Sequence, residues 1–262
     1  MTGPNRRQAL AGVGAALLTG NSAFAQYPER KPRSRLLILA ERASGDHQAF
    51  VDAGKAYIAK IAPQYDIAFD SITSTSPIND EYLAQYNGIM QLNHPPYHWT
   101  PTAQAAFERY MLSGRGGWIG FHHATLLGEF DGYPMSPWFS AFMGGIRFTH
   151  YIPGFAAATV HIEDRNHPLT RGLPASFTID KEEWYTWDRS PRPNTHVIGT
   201  VDEKSYKPDS MIKMGGDHPI IWSNPKYKSR NAYIFMGHHG GLFDSPEFTR
   251  LFHNSVLWSA GQ

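Results

Sequence analysis

Short apolar runs alternate along the chain with segments whose apolar residues recur at helical spacing, and this alternation sets the predicted elements. Arg35-Leu-Leu-Ile-Leu-Ala40 is a continuous apolar run, the pattern of a strand buried on both faces. The next segment puts Phe50, Ala53, Tyr57, Ile58 and Ile61 on one helical face, and Pro63 ends it. Residues 66–70 read as a second strand, Tyr82, Leu83 and Tyr86 as a short helix after Asn79, and residues 88–92 as a third strand. Thr100-Pro101 opens a helix with proline at its first position; Phe107, Tyr110 and Met111 form its inner stripe, and Gly114 stops it. Gly117-Trp-Ile-Gly-Phe121 is the fourth strand. This rhythm predicts an α/β fold, a doubly wound, mostly parallel sheet with helices on both faces.

From residue 127 to 153 the rhythm breaks into a Gly-, Pro- and aromatic-rich excursion. Strands resume at residues 157–162, 196–201, 220–223 and 231–236. Ser245-Pro246-Glu247 opens the last helix, with Phe248, Leu251, Phe252 and Val256 facing inward. No internal repeat or linker divides the chain, so residues 26–262 are expected to form a single domain.

The first 25 residues read as an address. They carry no acidic residue, Arg6-Arg7 precede a short apolar run, and Ala23-Phe24-Ala25 has the small-x-small form of a cleavage site. The run is too short to span a bilayer. Paired arginines before a Gly- and Ala-rich core point to a twin-arginine signal, a mature start at Gln26 and a periplasmic protein with no membrane anchor. Arg6→Lys with Arg7→Lys is therefore expected to block export. Intact mass should place the exported chain's first residue at Gln26, and a mass starting at Met1 would contradict this.

Composition removes whole classes of chemistry. With no cysteine there is no disulfide, thiolate nucleophile or cysteine-bound zinc. Lys and Arg number 24 against 23 acidic residues, which leaves no basic footprint for nucleic acid. There is no phosphate-binding Gly-x-x-x-x-Gly-Lys loop, no Gly-x-Gly-x-x-Gly after the first strand and no Gly-x-Ser-x-Gly elbow. Seven tryptophans suit either core packing or the walls of a sugar site.

The 13 histidines are what remains, and they collect at strand ends. His47 follows the first strand, His94 the third, His122-His123 the fourth and His238-His239 the last, while His150 closes the excursion and Glu182-Glu183 follow a further short segment. In such sheets ligands bind outside the carboxyl ends of the strands. Imidazole with carboxylate suits a divalent metal of the Zn, Fe, Ni or Mn kind, although no compact motif such as His-Glu-x-x-His is present. Gly120-Phe-His-His-Ala124 has the shape of a nucleophile elbow, with His122 where amidotransferase-like sheets hold cysteine, so thioester chemistry is excluded.

In order along the chain, Gly116-Gly-Trp-Ile-Gly-Phe-His122, Glu163-Asp-Arg-Asn-His-Pro168, Gly172-Leu-Pro174, Glu183-Trp-Tyr185 and Val201-Asp-Glu-Lys-Ser-Tyr206 resemble the trehalose-utilisation (ThuA-like) family. The resemblance continues through His218-Pro-Ile-Ile-Trp222, Tyr233-Ile-Phe-Met-Gly-His238 and Leu257-Trp-Ser-Ala-Gly261. Three departures are Glu182-Glu183 for the family's Asp-Glu, His150-Tyr151 for its His-Pro, and Lys226-Tyr-Lys-Ser-Arg230 for its glycine-rich step. The resemblance implies a glutamine-amidotransferase-like fold and carbohydrate catabolism involving 3-keto sugars or keto-glycosides, with metal binding.

On that basis His122, His238, His150 and His47 are the candidate metal ligands, with His47 in reserve. Glu183, His122 and His238 are the candidate catalytic residues, Glu183 as general base or extra ligand. Trp138, Trp184 and Tyr185 are the candidate sugar-facing walls. Three readings stay open: a metal-assisted enzyme that abstracts a proton beside a sugar carbonyl, a non-catalytic carbohydrate-binding protein, and a metal-dependent hydrolase of another small substrate. The expected partner is a small carbohydrate, and homo-oligomer formation is left open.

Overall fold

A computed structural model describes residues 31–262, and the signal-like segment and its cleavage site lie outside the described residues. Pro32–Gln262 forms one compact unit. Along the chain run β1 (Ser34–Ala40), α1 (Gly45–Ile61), β2 (Ile67–Ile72), α2 (Asp80–Leu83), β3 (Gly88–Leu92), α3 (Pro101–Ser113), β4 (Gly117–Phe121), α4 (Pro137–Phe142), β5 (Phe148–Tyr151) and β6 (Ala156–Ile162). Then come β7 (Ser176–Glu182), β8 (Tyr185–Trp187), β9 (His196–Lys207), β10 (Pro219–Ser223), β11 (Arg230–Ile234) and α5 (Pro246–Ala260).

Nine strands form the main sheet in the order β2-β1-β3-β4-β11-β10-β9-β6-β7, and β5 pairs with β8 in a separate ribbon. From β2 to β11 every pairing is parallel; beyond β11 every pairing is antiparallel. The sheet is the expected doubly wound α/β type, with an antiparallel flank added. The inner parallel strands β1, β3, β4 and β11 are buried along nearly their whole length, because helices cover both faces, while β2 at the sheet edge is mostly half-buried.

β4 shows the two layers directly, since successive side chains point to opposite faces. Trp118 meets Phe107 of α3 and Phe142 of α4 on one face, while Phe121 meets Phe50 of α1 and Phe252 of α5 on the other. α3 and α5 start where the sequence signals them, and α4 starts inside the excursion, where no helix was expected. Thr100, Ser136 and Ser245 each accept a backbone N–H of the first turn, and each is followed by proline at the first helical position.

The inner face of α1 is rotated from the expected one. Its buried stripe is Phe50, Val51, Gly54, Ile58 and Ile61, whereas Ala53 and Tyr57 are half-buried. Gly54 is the reason: a Cβ there would lie 3.3 Å from both Leu92 and Phe252, so the helix approaches the sheet and α5 on its bare side. Tyr57 is left at the margin, with its hydroxyl on His253. The second strand begins at Ile67 because Asp66 occupies the left-handed region and turns the chain. Among the described residues no helix is long and apolar enough to cross a membrane.

Candidate metal centre

Because β1, β3, β4 and β11 run parallel, the segments that follow them emerge at one sheet edge. His47 lies in the first turn of α1, just past β1; His122 follows β4 at once; His238 lies shortly beyond β11; Glu183 stands between β7 and β8. One ligand atom from each of these four residues lies within 4.8 Å of the other three. Glu183 Oε2 is 3.1 Å from His238 Nδ1 and 3.8 Å from His122 Nε2, and the two imidazole nitrogens are 3.4 Å apart. The ring of His47 is centred 4.3 Å from that of His238 and 5.4 Å from that of His122. His122 is fully buried, while Glu183 and His238 each keep a small exposed fraction.

The elbow at His122 is real and strained. Its φ of +40° is a value that side-chain-bearing residues rarely adopt, and such a residue persists only when its surroundings over-determine it. Tyr233 supplies part of the restraint by donating its hydroxyl to the His122 carbonyl at 2.9 Å. Gly237 supplies the space: a Cβ there would lie 2.8 Å from the His122 Cβ and 3.1 Å from Asn93 Oδ1. Gly237→Ala is expected to cost about 1–3 kcal/mol through overpacking, read from the denaturation midpoint. An unchanged midpoint would show that His122 yields freely.

Glu182, not Glu183, holds the segments together. It is fully buried; Oε1 accepts the Glu183 N–H at 2.8 Å, and Oε2 accepts the Gly237 N–H at 3.0 Å and the His238 N–H at 3.5 Å. Asn93 ties in the end of β3 by donating Nδ2 to the Gly237 carbonyl at 2.8 Å. Burial pushes the Glu182 carboxyl up to about 7, with those backbone donors opposing the rise.

Electrostatics leave most of the imidazoles neutral. Burial, reinforced by neighbouring imidazoles, brings His47 down to about 3 and His122 well below the ordinary histidine value. For His238 burial also works downward, but the hydrogen bond and charge of Glu183 outweigh it and raise the group. A neutral imidazole keeps a lone pair for a metal. His47 Nε2 is moreover buried with no hydrogen-bond partner, which is rare for a buried nitrogen unless a ligand satisfies it. Three imidazoles and a carboxylate around an unpartnered nitrogen fit a divalent cation, so this His/Glu group could hold a metal ion.

Other candidate residues lie elsewhere. His150 is exposed on the β5–β8 ribbon, and its side chain is not part of the group. Trp184 is fully buried, its ring stacked between Tyr206 and Phe235 and its Nε1 donated to the Ala156 carbonyl, so it has no face to offer a sugar. Trp138 stacks on Phe142 and packs edge-on to Phe107 and Phe139 as part of the aromatic layer beside α3. Tyr185 does reach the group: its hydroxyl is 3.0 Å from His122 Nε2. Sequence reasoning passed over Glu41, whose Oε2 lies 2.8 Å from His123 Nδ1, and Phe155, whose exposed ring stands edge-on to His238. Glu41 had a signal, an acidic residue directly after a buried strand; Phe155 had none.

The family model described as trehalose utilisation, ThuA, matches residues 35–259. The chain belongs to the ThuA family. Among solved structures, a ThuA-like protein from Bacteroides uniformis is 32% identical, with a TM-score of 0.77 over 89% of this chain and 95% of that one. A ThuA-like protein from Parabacteroides merdae is 15% identical with a TM-score of 0.61, covering 87% of this chain and 90% of that one. A GMP synthase protein from Thermoplasma acidophilum, 9% identical with a TM-score of 0.51 over 87% and 94% of the two chains, shares the fold alone. That likeness places this ThuA chain on a glutamine-amidotransferase-like fold. No curated relative matches the chain.

Proposed function

We propose that this ThuA-family chain is an exported carbohydrate-catabolic enzyme that acts on oxidised (3-keto) sugars or glycosides by abstracting a proton beside the carbonyl. The observation that carries the reading is the convergence of His47, His122, His238 and Glu183 within 4.8 Å at the carboxyl edge of the sheet. Family membership supports the carbohydrate substrate, and the Arg6-Arg7 segment supports export to the periplasm.

A ketone at C3 acidifies the proton on C2, and the glycosidic oxygen on C1 is then β to the carbanion. Glu183 is the base: its carboxylate keeps an exposed edge, and His238 Nδ1 at 3.1 Å orients it. Having taken the C2 proton, Glu183 returns it either to C3, while the O2 hydroxyl proton passes to O3 and the carbonyl moves to C2, which gives isomerisation, or to the aglycone oxygen as the C1–O bond breaks, which gives eliminative cleavage to an enone and an alcohol. His47, His122 and His238 would hold a divalent metal of the Zn, Fe, Ni or Mn kind. When bound, it supplies an electrophile for the ketone oxygen. Tyr185 holds the orientation of His122 through its hydroxyl.

The test is turnover of a 3-keto-glycoside by purified protein before and after chelation. Turnover that falls on chelation and returns with added metal is expected. Saturable sugar binding without turnover, indifferent to chelator, would make the chain a carbohydrate-binding protein instead.

A further inference from the structure

Glu183 and Tyr185 reach the His/Glu centre from one short segment, and that segment has no place in the main sheet. β8 pairs with β5 alone. The Glu182 clamp fixes the chain just before Glu183. Beyond it, two hydrogen bonds tie β8 to the side of the sheet formed by β9 and β10. His218, directly before β10, meets the Tyr185 carbonyl through Nε2 at 2.8 Å, and the Trp187 N–H donates to the Met214 sulfur at 3.1 Å.

Both ties lead back to Glu203 of β9. Its Oε1 lies 3.0 Å from His218 Nδ1 and accepts the Met214 N–H, while its Oε2 accepts the N–H groups of Gly215 at 3.1 Å and Gly216 at 2.8 Å. Glu203 and His218 are both buried. Burial works upward on the Glu203 carboxyl, but the hydrogen bonds of His218 and of the backbone outweigh it and hold the group down to about 2. An ionised carboxylate only accepts, and so does the Tyr185 carbonyl. His218 therefore donates from both ring nitrogens and carries both protons.

A buried charge pair adds little net stability over an apolar pair of the same size, so its worth lies in selecting one arrangement. What this pair selects is the placement of β8, which no ladder of the main sheet fixes.

We propose that Glu203 and His218 are positioning residues of the His/Glu centre: by pinning the Tyr185 carbonyl they hold the 183–185 segment so that the Glu183 carboxylate stays at the three histidines. Neither belongs to the ligand group itself. The inference rests on the metal centre of the function proposed above and not on the reaction assigned to it.

Cobalt(II) titration of the purified chain, followed by the visible absorption of the bound metal, tests the role with two substitutions of one histidine. The amide nitrogen of glutamine extends about as far as Nε2 and can still donate to the Tyr185 carbonyl, whereas that of asparagine stops at the level of Nδ1. His218→Asn is expected to bind cobalt about tenfold more weakly than wild type, and His218→Gln to stay within about threefold of it. Both variants lose the same charge, so their thermal stabilities should fall alike, and a purely structural role would leave their cobalt affinities alike as well. In a Glu183→Ala background His218→Asn should have no further effect, because nothing is left to position. Equal affinities in the asparagine and glutamine variants, or a loss that persists without Glu183, would overturn the proposal.

The proton–nitrogen correlation spectrum of the wild-type histidines needs no variant and decides the matter if His218→Asn does not fold. A His218 ring with both protons is expected; a ring with one would overturn the pin. Wild-type cobalt binding that His218→Asn leaves untouched removes the positioning role and keeps the centre. No cobalt binding by the wild type removes the centre itself, and this role with it.

Discussion

Glu183→Gln is expected to bind a 3-keto-glycoside with near wild-type affinity and to turn it over on the order of 10²–10⁴ times more slowly. The amide keeps the size of the carboxylate and can still hydrogen-bond His238 Nδ1, 3.1 Å away in the native site. What it loses is the ability to take a proton. Glu182 holds its backbone N–H as before, so the segment should stay in place. The separation of binding from rate distinguishes a base from a side chain that only contacts sugar. Loss of affinity with an unchanged rate constant would assign Glu183 to binding. Full activity would remove it from the mechanism.

Phe107→Ala is the substitution expected to cost most in stability, about 3–5 kcal/mol. Phe107 is fully buried on α3, with ring contacts to Trp99 at 4.8 Å, Trp138 at 5.5 Å, Phe139 and Phe142 at 5.9 Å and Trp118 at 6.1 Å. Those neighbours are large rings fixed by one another, so they cannot collapse into the space left behind, and the cavity cost adds to the lost transfer energy. Denaturant unfolding should show a lowered midpoint with the slope retained. A loss below about 1 kcal/mol would mean that the aromatic layer can repack.

The parallel half of the fold was legible because strands covered on both faces must be apolar throughout, as in β1 and β4. The antiparallel flank was harder to read. β7 is covered on one side, so Phe177 and Ile179 alternate with exposed Ser176, Thr178 and Asp180, and only two apolar residues mark it. The β5–β8 ribbon carries no such pattern, since most of β5 is exposed while β8 is buried.

The candidate site divides along the same line. His47, His122 and His238 were readable because each follows a parallel strand, and parallel strands deliver their ends to one edge. His150 lies within a strand, but that strand belongs to the separate ribbon, and the residue is exposed. Glu183 and Trp184 are neighbours in one motif, yet the chain turns Glu183 toward the histidines and Trp184 into the core, a difference decided by contacts with Phe235 and Tyr206 that lie far off in sequence. The clamp by Glu182 was hidden for the same reason, because its partners are backbone groups of Gly237 and His238.

The metal centre is tested most directly by the metal content of the purified chain and of its His122→Ala, His238→Ala and His150→Ala forms, measured by elemental analysis. A divalent metal near one per chain is expected in the wild type and in His150→Ala, with a marked fall in His122→Ala and His238→Ala. Full occupancy in both of those variants, or a fall confined to His150→Ala, would contradict the assignment of His122 and His238 as ligands.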